Sequence, residues 1–193
     1  MAHVITAVSC QSFENLFTII WIFIYFHSGT NFKASNYRLT VVDLTDAKSR
    51  EVSKWTDLIK EDPKDVLEGV YASRKNLFVA KYIRDVTSRV QLHRWDGSLI
   101  KELNIPMGAI TGLNTKREQD EVFYGFTSFL IPGIVYHLKL DQELKNEPTI
   151  FKEAKPQNFD HTKFVTEQVF YPSKDGTKVP MFLVHRKVNI ESI

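Results

Sequence analysis

From residue 37 onward, apolar and polar positions alternate in short runs: 37–44, 77–83, 89–95, 98–103, 121–126, 134–140, 149–153, 167–171 and 178–185. β-Branched and aromatic residues recur in these runs with the period of a half-buried strand, and the runs follow one another at roughly ten-residue spacing. The pattern predicts an all-β fold. Asp96-Gly97 and Asp175-Gly176 each separate two runs, and the positive φ of a tight hairpin turn favours that dipeptide. Pro63, Pro106, Pro132, Pro148, Pro156 and Pro172 punctuate the remainder. One stretch argues the other way, because Asp46 is placed to cap a helix carrying Val52, Trp55, Leu58 and Ile59 on one face.

An internal repeat overrules that helix. YRLTVVDLTD from Tyr37, SRVQLHRWDG from Ser88 and GIVYHLKLDQ from Gly133 share one plan: a strand, an acidic turn, then another strand. With Leu44, Trp95 and Leu140 as equivalent positions, the spacings are 51 and 45 residues, in the range of four-stranded propeller blades. The apolar runs 77–80 and 122–124 lie upstream of their hairpins, as the run 16–26 lies upstream of Tyr37. A blade hides its faces only by packing on its neighbours. About three blades do not close a ring, so the expectation is a part of something larger, or a chain that associates through open blade edges.

The run 16–26, LFTIIWIFIYF, is the most apolar stretch. Its eleven residues fall short of the ~20 of a spanning helix. A signal peptide is disfavoured too, since no Lys or Arg precedes Lys33 and no small-x-small cleavage site follows. A buried strand fits it best. Residues 1–15 carry no pattern that assigns them.

Composition narrows the function classes. The chain has 193 residues, 43% hydrophobic and 25% charged, with 25 Lys+Arg against 23 Asp+Glu. That balance offers no field to steer nucleic acid or an anionic membrane surface. Cys10 is the single cysteine and no Asn-x-Ser/Thr acceptor occurs, so the expected setting is reducing and cytoplasmic. No Gly-x-Ser-x-Gly elbow, phosphate-binding Gly-rich loop, dinucleotide fingerprint or His-Glu-x-x-His motif is present. His3, His27, His93, His137, His161 and His185 stand singly, without metal-ligand spacing. The acidic pairs Glu61-Asp62 and Asp120-Glu121 fall in expected loops, where solvated turns are commoner than acid/base pairs. Cys10 has no neighbouring base to activate it. The expectation is no catalytic, cofactor-binding or metal-binding residue, and no cofactor.

Residues 167–187, EQVFYPSKDGTKVPMFLVHRK, resemble the segment of the prolyl oligopeptidase family of serine peptidases that leaves a propeller and enters a hydrolase domain. Residues 121–140, 64–103 and 35–46 add to the resemblance in the family's order, which covers about residues 30–187. It implies a seven-bladed β-propeller capping an α/β-hydrolase domain, hydrolysis of short peptides after proline, and a narrow channel that excludes folded proteins. The family's Ser, Asp and His follow the propeller, in that chain order. After Lys187 the residues VNIESI depart from the family, so no catalytic residue transfers to any position here. The expected organisation is an unassigned segment over 1–15, partial propeller blades over 16–166 and the start of the hydrolase domain, with its first hairpin, over 167–193. The expected function is the propeller portion of a prolyl oligopeptidase-like peptidase, inactive alone, with short proline-containing peptides as substrates of the complete enzyme. A truncated propeller acting as a protein-binding module is the alternative. Related oligopeptidases that cut after basic residues share the architecture, and overall likeness favours the prolyl type.

Overall fold

The computed structural model describes residues 22–24, 34–42, 56–74, 77–116, 118–141, 144–157 and 159–187. Thirteen strands are described: β1 (Ile22–Ile24), β2 (Leu39–Val42), β3 (Thr56–Ile59), β4 (Val66–Ser73), β5 (Leu77–Arg84), β6 (Thr87–Arg94), β7 (Leu99–Glu102), β8 (Ala109–Thr115), β9 (Glu121–Thr127), β10 (Ile134–Lys139), β11 (Thr149–Glu153), β12 (Phe164–Pro172) and β13 (Lys178–Arg186). They form antiparallel sheets in the orders β1-β2-β3, β4-β5-β6-β7, β8-β9-β10-β11 and β12-β13. The one helical element among the described residues is a 3-10 turn, His161–Lys163. The all-β expectation stands, and the two complete meanders are blades. By position in the repeat, β1, β2 and β3 match the second, third and fourth strands of those blades.

The runs expected from alternation reappear as strands within a few residues. Strands β3, β4 and β8 are additions, and each has a physical reason for being missed. β4 and β8 pair with β5 and β9 through register shifts at Leu67/Gly69 and Ile110/Gly112, so a bulge with a glycine interrupts the two-residue period. The bulges fall at the same place in each blade, and they add the twist that stacked blades need. β3 contains Leu58 and Ile59, two of the apolar residues on the expected helical face. Residues 43–55, the rest of that segment, lie outside the described residues, as do residues 1–21 and 25–33.

Both Asp-Gly turns are hairpin turns, of a three-residue kind. Gly97 has φ 85 and Gly176 has φ 84. In the first, the Gly97 N–H donates to the Arg94 carbonyl and the Arg94 N–H to the Ser98 carbonyl; in the second, Ser173, Gly176 and Thr177 repeat the pattern. Only the glycine adopts positive φ. The aspartate accepts from the backbone two residues on, Ser98 N at 2.8 Å and Thr177 N at 3.0 Å, so each residue of the dipeptide has a separate task.

Of the described residues, 22–84 with 89–103 form one compact unit, and 85–88 with 104–187 another. In the first, Leu39 and Ile59 pack against Leu67, Phe78, Ala80 and Tyr82, so one sheet lies face to face on the next. The Trp95 ring stacks on Phe78 at 5.9 Å. Phe78, Val79 and Ala80 are wholly buried, as a central strand covered on both faces requires. In the second unit Val122, Tyr124 and Phe126 alternate along β9 and face Leu138, Tyr136 and Ile134 on β10. Tyr124 and Tyr136 stack at 5.1 Å.

Candidate functional site

Polar chemistry concentrates at one end of the β4–β7 blade, beside a cavity of about 260 Å³ lined in part by Glu61, Asp62, Asp65, Tyr82 and His93. The loop joining β3 to β4 folds on its own acids. Asp62 accepts from the backbone N–H groups of Lys64 and Asp65, both at 2.8 Å. Glu61 accepts from the Asn36 N–H at 2.7 Å and the Ser35 hydroxyl at 3.1 Å, while the Asn36 amide donates to the Asp62 carbonyl at 2.9 Å. The pair expected to be a solvated turn is instead a staple between two segments of this unit.

A charge relay then crosses all four strands. Asp65, one residue ahead of β4 and 1% exposed, takes Arg84 at the end of β5 and, at 3.6 Å, Arg89 on β6. Arg89 forks onto Glu102 at the end of β7, with Nε to Oε1 at 2.7 Å and Nη2 to Oε2 at 2.8 Å. Charge-assisted, two-pronged bonds of this kind are shorter and more directional than neutral ones. No spacing rule announces this network, because its members meet only after the strands pair.

Protonation follows from the surroundings. Backbone N–H groups of Lys64 and Asp65, then Arg84 and Arg89, hold the Asp62 carboxyl below its ordinary value. Burial, reinforced by Asp62 and Asp65, pushes the Tyr82 phenol up to about 12. Burial lowers His93, which keeps a neutral ring at pH 7. Its Nδ1 lies 3.0 Å from the Gly97 carbonyl and its Nε2 lies 3.1 Å from the Gln91 side-chain amide. The carboxylates are engaged by guanidinium or backbone donors and Tyr82 retains its proton, so the arrangement ties strands together and is not poised to move protons.

Of the other described residues singled out from sequence, Glu121 and His137 meet as a pair, and the rest stand apart. His93 is buried on β6, His137 stacks on Phe123 at 4.6 Å on β10, His161 opens the 3-10 turn and His185 stands 3.7 Å from Glu167 on the β12–β13 hairpin. Glu121 belongs to β9 and lies 3.4 Å from His137, whereas Asp120 accepts the Leu140 N–H through its carbonyl. His3, Cys10 and His27 lie outside the described residues. Among the described residues no group of three His, Cys, Asp or Glu could hold a metal ion, and no helix is long and apolar enough to cross a membrane.

The blades decide the family. A family model described as prolyl oligopeptidase, N-terminal beta-propeller domain, matches residues 24–150, from the end of β1 to the start of β11. The chain belongs to the prolyl oligopeptidase family. Prolyl endopeptidase of Elizabethkingia miricola is 28% identical over 167 residues, covering 85% of this chain and 22% of that protein. Prolyl oligopeptidase ophP of Omphalotus olearius is 32% identical over 161 residues, covering 82% of this chain and 21% of that protein. Among solved structures, prolyl oligopeptidase B from Galerina marginata, bound to a 35mer hydrolysis and macrocyclization substrate, superposes with TM-score 0.74 at 26% identity over 96% of this chain and 24% of that one. The chain thus spans about a fifth of the length of the curated relatives it matches. A propeller of that family accounts for the two four-stranded meanders. Hairpin β12–β13 lies beyond the stretch that the family model matches.

Proposed function

We propose that this chain supplies propeller blades that gate substrate access to a serine peptidase of the prolyl oligopeptidase type, with short proline-containing peptides as the substrates of the complete enzyme. The observation that supports it is the coincidence of the propeller match, residues 24–150, with the described blades. On this reading the chain contributes no catalytic, cofactor or metal residue, because the family's Ser, Asp and His belong to the hydrolase domain. The first hairpin of that domain is β12–β13. The proposed organisation keeps the blades over 16–166 and the start of the hydrolase domain over 167–193. The setting proposed is the cytoplasm.

The test is direct. The purified chain, offered a Gly-Pro reporter peptide, hydrolyses it no faster than a buffer blank, since only weak help from binding survives when triad members are missing. Hydrolysis above the blank that a serine-directed inhibitor stops would overturn this.

A second reading, a protein-binding module working through open blade edges, draws support from β11. Its residues 149–152 are exposed, including Ile150 and Phe151, and an uncovered outer strand offers unpaired backbone groups to another chain. Light scattering separates the two, because edge pairing gives a species heavier than 22.4 kDa and a strictly monomeric chain removes self-association from consideration.

A further inference from the structure

Hairpin β12–β13 runs through nine cross-strand pairs, and none of its residues is fully buried. Something other than a core of its own must fix its orientation. Among the described residues, two contacts tie it to turns far away in the chain, and they converge on a single cross-strand pair, Gln168 opposite Phe182. Residues directly opposite in an antiparallel ladder project from the same face. From that face Gln168 Nε2 donates to the Asp85 carbonyl at 2.6 Å, across 83 residues of chain. The Phe182 ring packs on Phe129 at 5.2 Å between centroids.

The two receiving loops are equivalent. Asp85 lies in the connection between β5 and β6, and Phe129 in the connection between β9 and β10, so both join the second strand of a blade to its third. The first connection is also unusual in its backbone. Asp85 has φ 48 and Val86 has φ 67, where hairpin turns ordinarily place Asn or Gly. A branched side chain in that region is costly, and such outliers persist where surrounding structure over-determines them. Here the surroundings are visible: the Ser88 N–H donates to the Gly108 carbonyl and the Ser88 hydroxyl accepts from the Ile110 N–H at 2.9 Å. The turn is anchored at its base and offers the Asp85 carbonyl outward to Gln168.

We propose that Gln168 and Phe182 form the pivot that seats hairpin β12–β13 on two turns of its own unit, those at Asp85 and Phe129, each acting as a positioning residue. The hairpin is held at its middle, while Tyr171, Met181 and Leu183 toward its remaining face and end stay exposed.

Hydrogen exchange on the full 193-residue chain tests this. Gln168→Glu keeps the side-chain size but loses the N–H donor; the amides of residues 165–171, 179 and 181–185 then exchange about five-fold faster. Gln168→Lys restores a donor and brings those rates back to within about two-fold of the parent. Phe129→Ala, at a site already 65% exposed, accelerates the same amides about three-fold, and the two effects combine in the double variant. Throughout, the β5 and β9 amides keep their protection. Unchanged hairpin rates in Gln168→Glu and Phe129→Ala, failure of lysine to rescue, or equal acceleration across β5 and β9 would overturn the pivot.

Discussion

Hairpin β12–β13 and the β4–β7 blade are both antiparallel, yet the more regular of the two is the less buried. The hairpin keeps one register through nine consecutive pairs without a break. The blade shifts register between β4 and β5 and again between β6 and β7, but it holds Phe78, Val79, Ala80 and Val90 away from solvent altogether. Ladder regularity and burial are therefore separate properties. A turn of fixed geometry sets a register, whereas packing against a neighbouring sheet demands twist, and the bulges supply twist at the expense of regularity. Since an intramolecular hydrogen bond contributes only ~1 kcal/mol net, the blade's stability resides in its apolar contacts. A two-stranded hairpin without such contacts is marginal in water, which is why its few anchors carry weight.

The largest test of that contrast is a pair of phenylalanine deletions. Phe78→Ala removes a wholly buried ring between two sheets and costs about 3–5 kcal/mol. Phe170→Ala, at a hairpin site 47% exposed, changes stability by no more than about 0.5 kcal/mol. Urea titration followed by circular dichroism measures both. Equal losses would mean that the hairpin belongs to a buried core after all, and the contrast would collapse.

Two glycines sharpen the comparison, because their turns have the same form in different surroundings. Alanine at either position suffers the left-handed backbone, at about 1–2 kcal/mol. At Gly176 nothing lies within 4 Å of the added carbon, whereas at Gly97 the carbon would overlap the Leu58 carbonyl oxygen. Gly97→Ala therefore costs about 2–4 kcal/mol, the strain plus forced displacement of β3, while Gly176→Ala costs the strain alone. The two urea midpoints, compared side by side, show it. Matching losses would mean that Leu58 yields freely.

The same local features explain what was legible in the sequence. Strand β9 alternates cleanly between half-buried and buried residues, and its run was visible as written. Asp-Gly announced both three-residue turns, because the dipeptide itself carries their chemistry. By contrast, Asp85-Val86 turns the chain with neither glycine nor asparagine, so no local signal marks it. Strands β4 and β8 were obscured where Gly69 and Gly112 sit at bulges. The Asp65, Arg84, Arg89 and Glu102 relay was invisible for another reason: each member looks like an ordinary charged residue in or beside a strand, and only pairing of the four strands assembles them. The resemblance carried the family, which the repeat alone could narrow only to a propeller.

The smallest effect concerns His93, and its sign can be worked out. The ring is 5% exposed, and burial lowers its pKa against the opposing pull of the Gly97 carbonyl. An unfolded histidine titrates near 6.5. Between that value and the lower folded one the unfolded chain binds more protons, so stability rises with pH across the window and falls away as the solution is acidified below about 6.5. The blade should therefore lose part of its stability on mild acidification. Urea midpoints at a series of pH values give the slope in the parent chain, and His93→Gln flattens it. A parent midpoint that holds constant from neutral pH down through this window, or a slope that survives the substitution, would show that burial does not hold this ring neutral and that the polar end of the blade is more open to water than its packing implies.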